Sequence, residues 1–256
     1  MAVYITGDTH ANFQRFNVQR FFEQQELTKN DYVIICGDFG GIWRENDISS
    51  ENLNFLNTRS YTTLFVDGNH ENYDLLNTFP VEEWHGGKVQ FIKESVIHLM
   101  RGQIYEIDGE TYFTMGGASS HDIQDGILEL DDPEFREKKW CLDFSCGMYR
   151  INHVSWWKEE LPSEEEYAEG VRNLEMHNWK VDNIITHCCP TSILKQISDG
   201  AYASDRLTDY FETIKTKTGF KRWFFGHYHD NRIMSEKFIL LYKEIFSRQT
   251  ENFLGW

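Results

Sequence analysis

The chain has 256 residues, 40% of them hydrophobic and 15% aromatic, and a net charge of −16. That is enough apolar material for one sizeable core and rules out disorder as the default. The acidic balance excludes a protein that wraps duplex nucleic acid through Lys and Arg, while leaving room for an anionic substrate at a local cationic site or on bound metal ions.

The five cysteines, Cys36, Cys141, Cys146, Cys188 and Cys189, are odd in number and form no CxxC pair. A reduced cytoplasmic protein accounts for them better than a disulfide framework. The first residues show no basic n-region, and no run approaches the ~18 apolar residues of a membrane helix, so neither a leader nor membrane association is expected.

In chain order, Val3-Tyr4-Ile5 reads as a strand, followed by a helix carrying Phe13, Phe16 and Phe21 with Asn12 as its cap. Tyr32–Cys36 is a short apolar run, the pattern of a strand buried on both faces. A polar segment with Leu53 and Leu56 precedes a third strand, Thr63–Val66. Strands alternating with helices predict parallel pairing. Val96–Leu99, Gln103–Ile107 and Thr111–Met115 read as antiparallel strands, the last two joined by an Asp108-Gly109 hairpin turn.

Residues 119–162 show no clear period and are expected to form an insertion or lid. Ser163 and Glu166 form a capping box for a helix bearing Tyr167, Val171 and Leu174. Asn183–Thr186 is a strand. Ser204 caps a helix through Leu207, Phe211 and Ile214 that Gly219 stops. Trp223–Phe225 is a buried strand, and Arg232–Phe246 holds one or two more. No repeat or linker interrupts the chain, so residues 1–256 are expected to form one α/β domain with mixed sheets.

Five short polar motifs trail these strands: Gly7-Asp8-Thr9-His10, Gly37-Asp38-Phe39-Gly40, Gly68-Asn69-His70-Glu71, His187, and Gly226-His227-Tyr228-His229. Open α/β sheets bind ligands beyond the carboxyl ends of their strands, and glycine there lets the backbone turn and approach the site. Asp and His are common ligands of Zn²⁺, Mn²⁺ and Fe ions. Two Asp, one Asn and four His exceed the needs of one tetrahedral ion and fit two ions sharing a bridging carboxylate. Such a pair activates water and clamps a phosphoryl group. Taken singly, each motif is weak, since Asp8 might cap a turn and Asn69 might serve a left-handed turn. Five in this order are not.

On those motifs, which span residues 7–229, the sequence resembles the calcineurin-like metallophosphoesterase superfamily. The resemblance implies a four-layer α/β/β/α sandwich built on two mixed sheets. It also implies that Asp8, His10 and His229 hold one ion, that Asn69, His187 and His227 hold the other, and that Asp38 bridges them. His70 is then no ligand but faces the substrate as an acid or a transition-state stabiliser, and Glu71 supports the loop.

Departures narrow the class. Protein serine/threonine phosphatases of this superfamily carry GDxxDRG, whereas Gly41 and Ile42 stand at that Asp and Arg here. Purple acid phosphatases carry a tyrosine ligand in GDxxY, and Gly41 occupies that place too. What remains is the bacterial group of phosphodiesterases and small-molecule phosphatases.

The expected reaction is in-line attack of metal-bound hydroxide on the phosphorus of a small phosphomonoester or phosphodiester, nucleotide-like molecules being favoured. The cofactors are two divalent ions, Mn²⁺ first, with Fe, Zn²⁺, Ni²⁺ or Co²⁺ as alternatives. Arg150 is a candidate contact for substrate phosphate, against the plainer reading of a surface salt bridge. His121-Asp122 is read as a loop that caps a turn, Trp156-Trp157 as core and Cys188-Cys189 as buried thiols rather than soft ligands. The alternative function is a catalytically silent scaffold of the same fold. A metallopeptidase lacks support, because there is no HExxH.

Overall fold

The computed structural model describes residues 1–254. In chain order, β1 (Val3–Thr6), β2 (Tyr32–Cys36), α1 (Glu51–Asn57), β3 (Thr62–Val66) and α2 (Tyr73–Leu76) lead into β4 (Val81–Trp84), β5 (Gly87–Lys93) and β6 (Val96–Leu99). Then come β7 (Gln103–Ile107), β8 (Glu110–Met115), β9 (Ile127–Leu128), α3 (Phe135–Phe144), β10 (Arg150–Ile151), α4 (Glu164–Met176) and β11 (Asn183–Thr186). The chain ends with α5 (Thr191–Ser198), α6 (Arg206–Lys217), β12 (Arg222–Phe225), β13 (Arg232–Ile233), β14 (Phe238–Leu240), β15 (Ile245–Ser247) and β16 (Asn252–Phe253).

The strands form one sheet of order β16-β15-β1-β2-β3-β6-β5-β4 and another of order β13-β14-β12-β11-β8-β7, with β9 and β10 as a separate pair. Both large sheets are mixed. Strands β1, β2, β3 and β6 run parallel, as do β8, β11, β12 and β14, and antiparallel strands flank each set.

Three apolar clusters define the layers. Val3, Ile5, Ile34 and Leu64 of the first sheet pack with Tyr112, Ile185, Phe224 and Ile239 of the second. The alternate residues Tyr4, Val33, Ile35 and Phe65 face outward and pack under Phe13, Phe16, Phe21, Leu53 and Leu56. The other face of the second sheet, with Phe113, Ile184 and Trp223, is covered by Leu174, Ile193, Leu207 and Phe211 of α4, α5 and α6. The result is the α/β/β/α sandwich. Because both faces of the central strands are buried, their sequences read as unbroken apolar runs.

Several expectations are corrected. No α-helix follows β1. Phe16 ends one 3-10 turn, Gln14–Phe16, while Phe13 and Phe21 immediately precede that turn and a second, Phe22–Glu26; all three are fully or almost fully buried. The helix α6 is capped by Asp205, whose carboxylate accepts from Thr208 N, and not by Ser204; it ends at Lys217, with Thr218 as C-cap, before Gly219. The stretch from Arg232 to Phe246 holds three strands, β13, β14 and the start of β15, rather than one or two, and β16 follows it. The antiparallel middle is two separate units. The chain passes from β6 in one sheet to β7 in the other, and β6 and β8 each join a parallel set. The Asp108-Gly109 turn is present, with φ of +55° and +74° as a type I′ turn demands. So is the Ser163/Glu166 capping box.

Residues 119–162 contain α3, which buries none of its residues and exposes Trp140 and Phe144. A helix without a core face carries no apolar stripe to read. No helix among the described residues is long and apolar enough to cross a membrane.

Candidate metal centre

The carboxyl ends of β1, β2, β3, β11 and β12 converge, and each delivers its motif to the same place. Asp8 follows β1 and is fully buried. The backbone N–H of His227, from the other sheet, donates to both Asp8 carboxylate oxygens at 3.0 and 3.2 Å. His229 Nε2 lies 3.1 Å from Asp8 Oδ2 and 3.2 Å from His10 Nε2. The donor atoms of Asp8, His10 and His229 fall within 4.8 Å of one another, and so do those of Asp8, Asp38 and His187.

Asp38 stands between the two groups. Its Oδ1 accepts from His70 N at 2.8 Å and lies 3.2 Å from His187 Nε2, while its Oδ2 is 3.6 Å from His10 Nε2. Burial disfavours its charge, yet the flanking His187, His70 and His10 hold the Asp38 carboxyl well below the usual carboxylate range.

The geometry at His187 tests whether these residues fit a metal. Its Nδ1 is 2.7 Å from Cys36 O. A carbonyl only accepts, so the ring proton sits on Nδ1 and the Nε2 lone pair faces Asp38 Oδ1 and Asn69 Oδ1, each 3.2 Å away. Asn69 is oriented for this because its Nδ2 donates to Ser120 Oγ at 3.3 Å. Three buried acceptors turned on one another require a cation. In the bare protein a second proton fills the role: burial lowers the His187 pKa, but Asp38 overrides it and pushes the ring up to about 10. A divalent ion satisfies the same three atoms, and the donor set fits one.

Two glycines make the convergence possible. A Cβ on Gly68 would fall 2.1 Å from Asp38 Oδ1, and a Cβ on Gly226 would fall 2.1 Å from Asp8 Oδ1. His10, Asp38, His227 and His229 all adopt positive φ, a strained conformation for side-chain-bearing residues that concentrates at functional sites.

The remaining expected residues lie close by. The His70 ring packs edge-on to His10, with centroids 5.3 Å apart. Burial and nearby Arg150 hold its imidazole below its ordinary pKa, against the pull of Asp38. The His227 ring is 5.0 Å from that of His187, but its Nε2 points to His121 Nε2 at 3.1 Å, and it joins neither three-donor cluster. Arg150 lines a cavity with His10 and His70 and also forms a two-pronged ion pair with Asp122. Asp122 is thus an arginine partner rather than a turn cap. Glu71 is buried and accepts from Phe39 N at 2.7 Å and Gly40 N at 3.2 Å, fixing the loop after Asp38. Cys188 and Cys189 are buried free thiols, and Trp157 is core.

Sequence reasoning missed the supports. Arg15 is buried and donates to Thr6 Oγ1, Gly7 O, Asp8 O and Tyr242 O, tying down the first motif. Ser120 is itself held by the buried Glu160, at 3.0 Å from its N and 2.6 Å from its Oγ. Ser120 and His121 follow β8, so the rule that picked the other five loops also applied to this sixth one.

The sandwich and its cluster of Asp and His donors at strand ends define a metal-dependent hydrolase. The chain belongs to the calcineurin-like phosphoesterase family, whose profile matches residues 1–231. It is also similar to lariat debranching enzyme A of Xenopus laevis, at 24% identity over 148 residues. That alignment covers 50% of this chain and 26% of the Xenopus enzyme, so this chain corresponds to about a quarter of that relative's length.

Proposed function

We propose that this protein is a binuclear phosphoesterase acting on small phosphodiesters or phosphomonoesters, with nucleotide-like substrates preferred and Mn²⁺ as the first choice of metal. The observation that carries the reading is the placing of Asp38: one carboxylate oxygen faces His187 and the other faces His10. Asp8, His10 and His229 would hold one ion, Asn69, His187 and His227 would hold the other, and Asp38 would serve both. When bound, such a pair supplies an activated water for in-line attack and neutralises the phosphate.

The chain's own groups do the rest. His70, held through its backbone N–H by Asp38, directs its ring at the substrate as an acid for the departing oxygen or as a transition-state stabiliser. Arg150 contacts a substrate phosphate oxygen. Residues 119–162 serve as a lid within a single domain, and the protein works in the cytoplasm. The test is turnover of bis(4-nitrophenyl) phosphate and 4-nitrophenyl phosphate by the Mn²⁺-loaded chain. Release of nitrophenol that chelation abolishes and added metal restores is expected. Absence of turnover on both esters refutes the reading.

A further inference from the structure

Next to His10 and His70 lies a cavity of about 470 Å³, within the roughly 300–1,000 Å³ span of small-molecule sites. It offers more room than a reacting phosphoryl group fills. Trp43, Arg44, Asp47, Asn52 and Arg150 also line it. This wall is a built one. Asp47 Oδ2 accepts from the backbone N–H groups of Trp43 at 2.9 Å and Arg44 at 2.8 Å, and Asn72 Nδ2 donates to Trp43 O at 2.9 Å. The Trp43 ring packs edge-on against the buried Trp157, with centroids 5.3 Å apart.

The charge balance of this cavity is unusual for the molecule. The chain carries a net −16, yet two guanidinium groups border the cavity. Its one lining carboxylate, Asp47, is engaged by backbone N–H groups. Arg150 is paired with Asp122, whereas Arg44 is exposed and enters no ion pair among the described residues. Arginine presents planar, paired donors that match phosphate oxygens. The reacting phosphoryl group would already be neutralised by the metal pair, so Arg44, the lining cation with no carboxylate partner among the described residues, answers to a different negative charge, with the Asp122-paired Arg150 beside it.

We propose that this cavity binds a second phosphate on the substrate, held by Arg44 and Arg150, and that the preferred substrate is a phosphodiester bearing a further phosphate group. The inference rests on the phosphoesterase reading and names the substrate class of that same site.

The test compares three dinucleotides on the Mn²⁺-loaded chain: thymidylyl-thymidine, its 5′-phosphorylated form and its 3′-phosphorylated form. At least one phosphorylated form is expected to show a tenfold or greater gain in kcat/KM, carried by KM. In Arg44→Gln that gain shrinks towards parity, and Arg44→Lys restores part of it. Calorimetry gives a readout without turnover: thymidine 3′,5′-bisphosphate is expected to bind the loaded wild type at least tenfold more tightly than thymidine 5′-monophosphate, and Arg44→Gln removes the difference. Equal kcat/KM for all three dinucleotides, or a preference that survives Arg44→Gln in folded protein, overturns the proposal. Hydrolysis of none of them, together with inert nitrophenyl esters, overturns the phosphoesterase reading instead.

Discussion

Arg101 grips a single oxygen of Asp67, donating to Oδ2 from Nε at 2.8 Å and from Nη2 at 2.5 Å. Both side chains are buried, and Tyr73 and His98 complete the cluster, with Tyr73 Oη donating to Asp67 Oδ2 at 2.8 Å and His98 Nε2 lying 3.2 Å from Asp67 Oδ1. Asp67 is the residue between β3 and the loop that carries Asn69 and His70, so this ion pair anchors one side of the candidate metal centre.

Replacing Arg101 by Met leaves a buried carboxylate without its cation, a loss of about 3–5 kcal/mol at neutral pH. The pH dependence follows from the direction of the shift. Burial opposes the Asp67 charge, but Arg101 and His98 hold its carboxyl well below the usual range. Its contribution is therefore present above the unfolded value of about 3.9 and lost as pH falls towards the folded value. In Arg101→Met, burial is opposed only by His98 and the Tyr73 hydroxyl, so the carboxyl rises relative to the wild type and the penalty grows with pH. Denaturant unfolding at pH 7 and pH 4 should show a gap between the two proteins that is wider at pH 7. A gap independent of pH would place the cost in packing rather than charge.

Ser120→Ala removes the acceptor that orients the Asn69 amide. Loss of such an outer hydrogen bond costs roughly 10–100-fold in metal affinity or activity. Mn²⁺ titration of the folded variant should show weakened binding of one of two equivalents while the other is retained. Unchanged affinity for both would show that Asn69 keeps its orientation without Ser120.

Asp38→Asn removes the shared negative ligand. Turnover is expected to fall by at least about 10²-fold, and elemental analysis should show metal content dropping below two equivalents per chain. A variant with two ions and near-normal turnover would mean that the bridge has been assigned to the wrong residue.

His70→Ala separates proton transfer from metal binding. General acid catalysis is worth roughly 10²–10⁴-fold, and a nucleoside leaving group needs the proton where nitrophenolate does not. The variant should keep both metals and lose far more rate on the nucleoside diester. Equal losses on both would identify His70 as a charge stabiliser, and loss of a metal would identify it as a ligand.

Much of the metal centre was legible because its residues obey one local rule: a polar motif, usually opened by a glycine, at the end of an apolar strand. Asp8, Asp38, Asn69, His187 and His229 could be read that way before any coordinates. Ser120 and His121 follow the same rule after β8, but their loop enters an irregular segment whose exposed helix α3 conceals its regularity. Arg15, Arg44 and Arg101 were illegible for another reason. Their partners are backbone carbonyls, a cavity and a distant carboxylate, and nothing in the neighbouring sequence distinguishes a buried arginine from an exposed one. Among the elements, the caps of α4 and α6 were read to within a residue, Ser163 for the first and Asp205 for Ser204 in the second, whereas Asn12 caps no α-helix. The aromatic spacing after β1 misled because Phe13, Phe16 and Phe21 fill the core from tight 3-10 turns.

The pairing of β1 with β15, in which Tyr4 lies opposite Ser247, joins strands far apart in chain order. Asp8, His10 and Asp38 come from one sheet and His187, His227 and His229 from the other. A ribosome therefore releases the early carboxylates long before the late histidines that complete their surroundings. A product truncated ahead of residue 227 lacks β15, the partner of one edge of β1, together with His227 and His229, and is expected to turn over no phosphate ester.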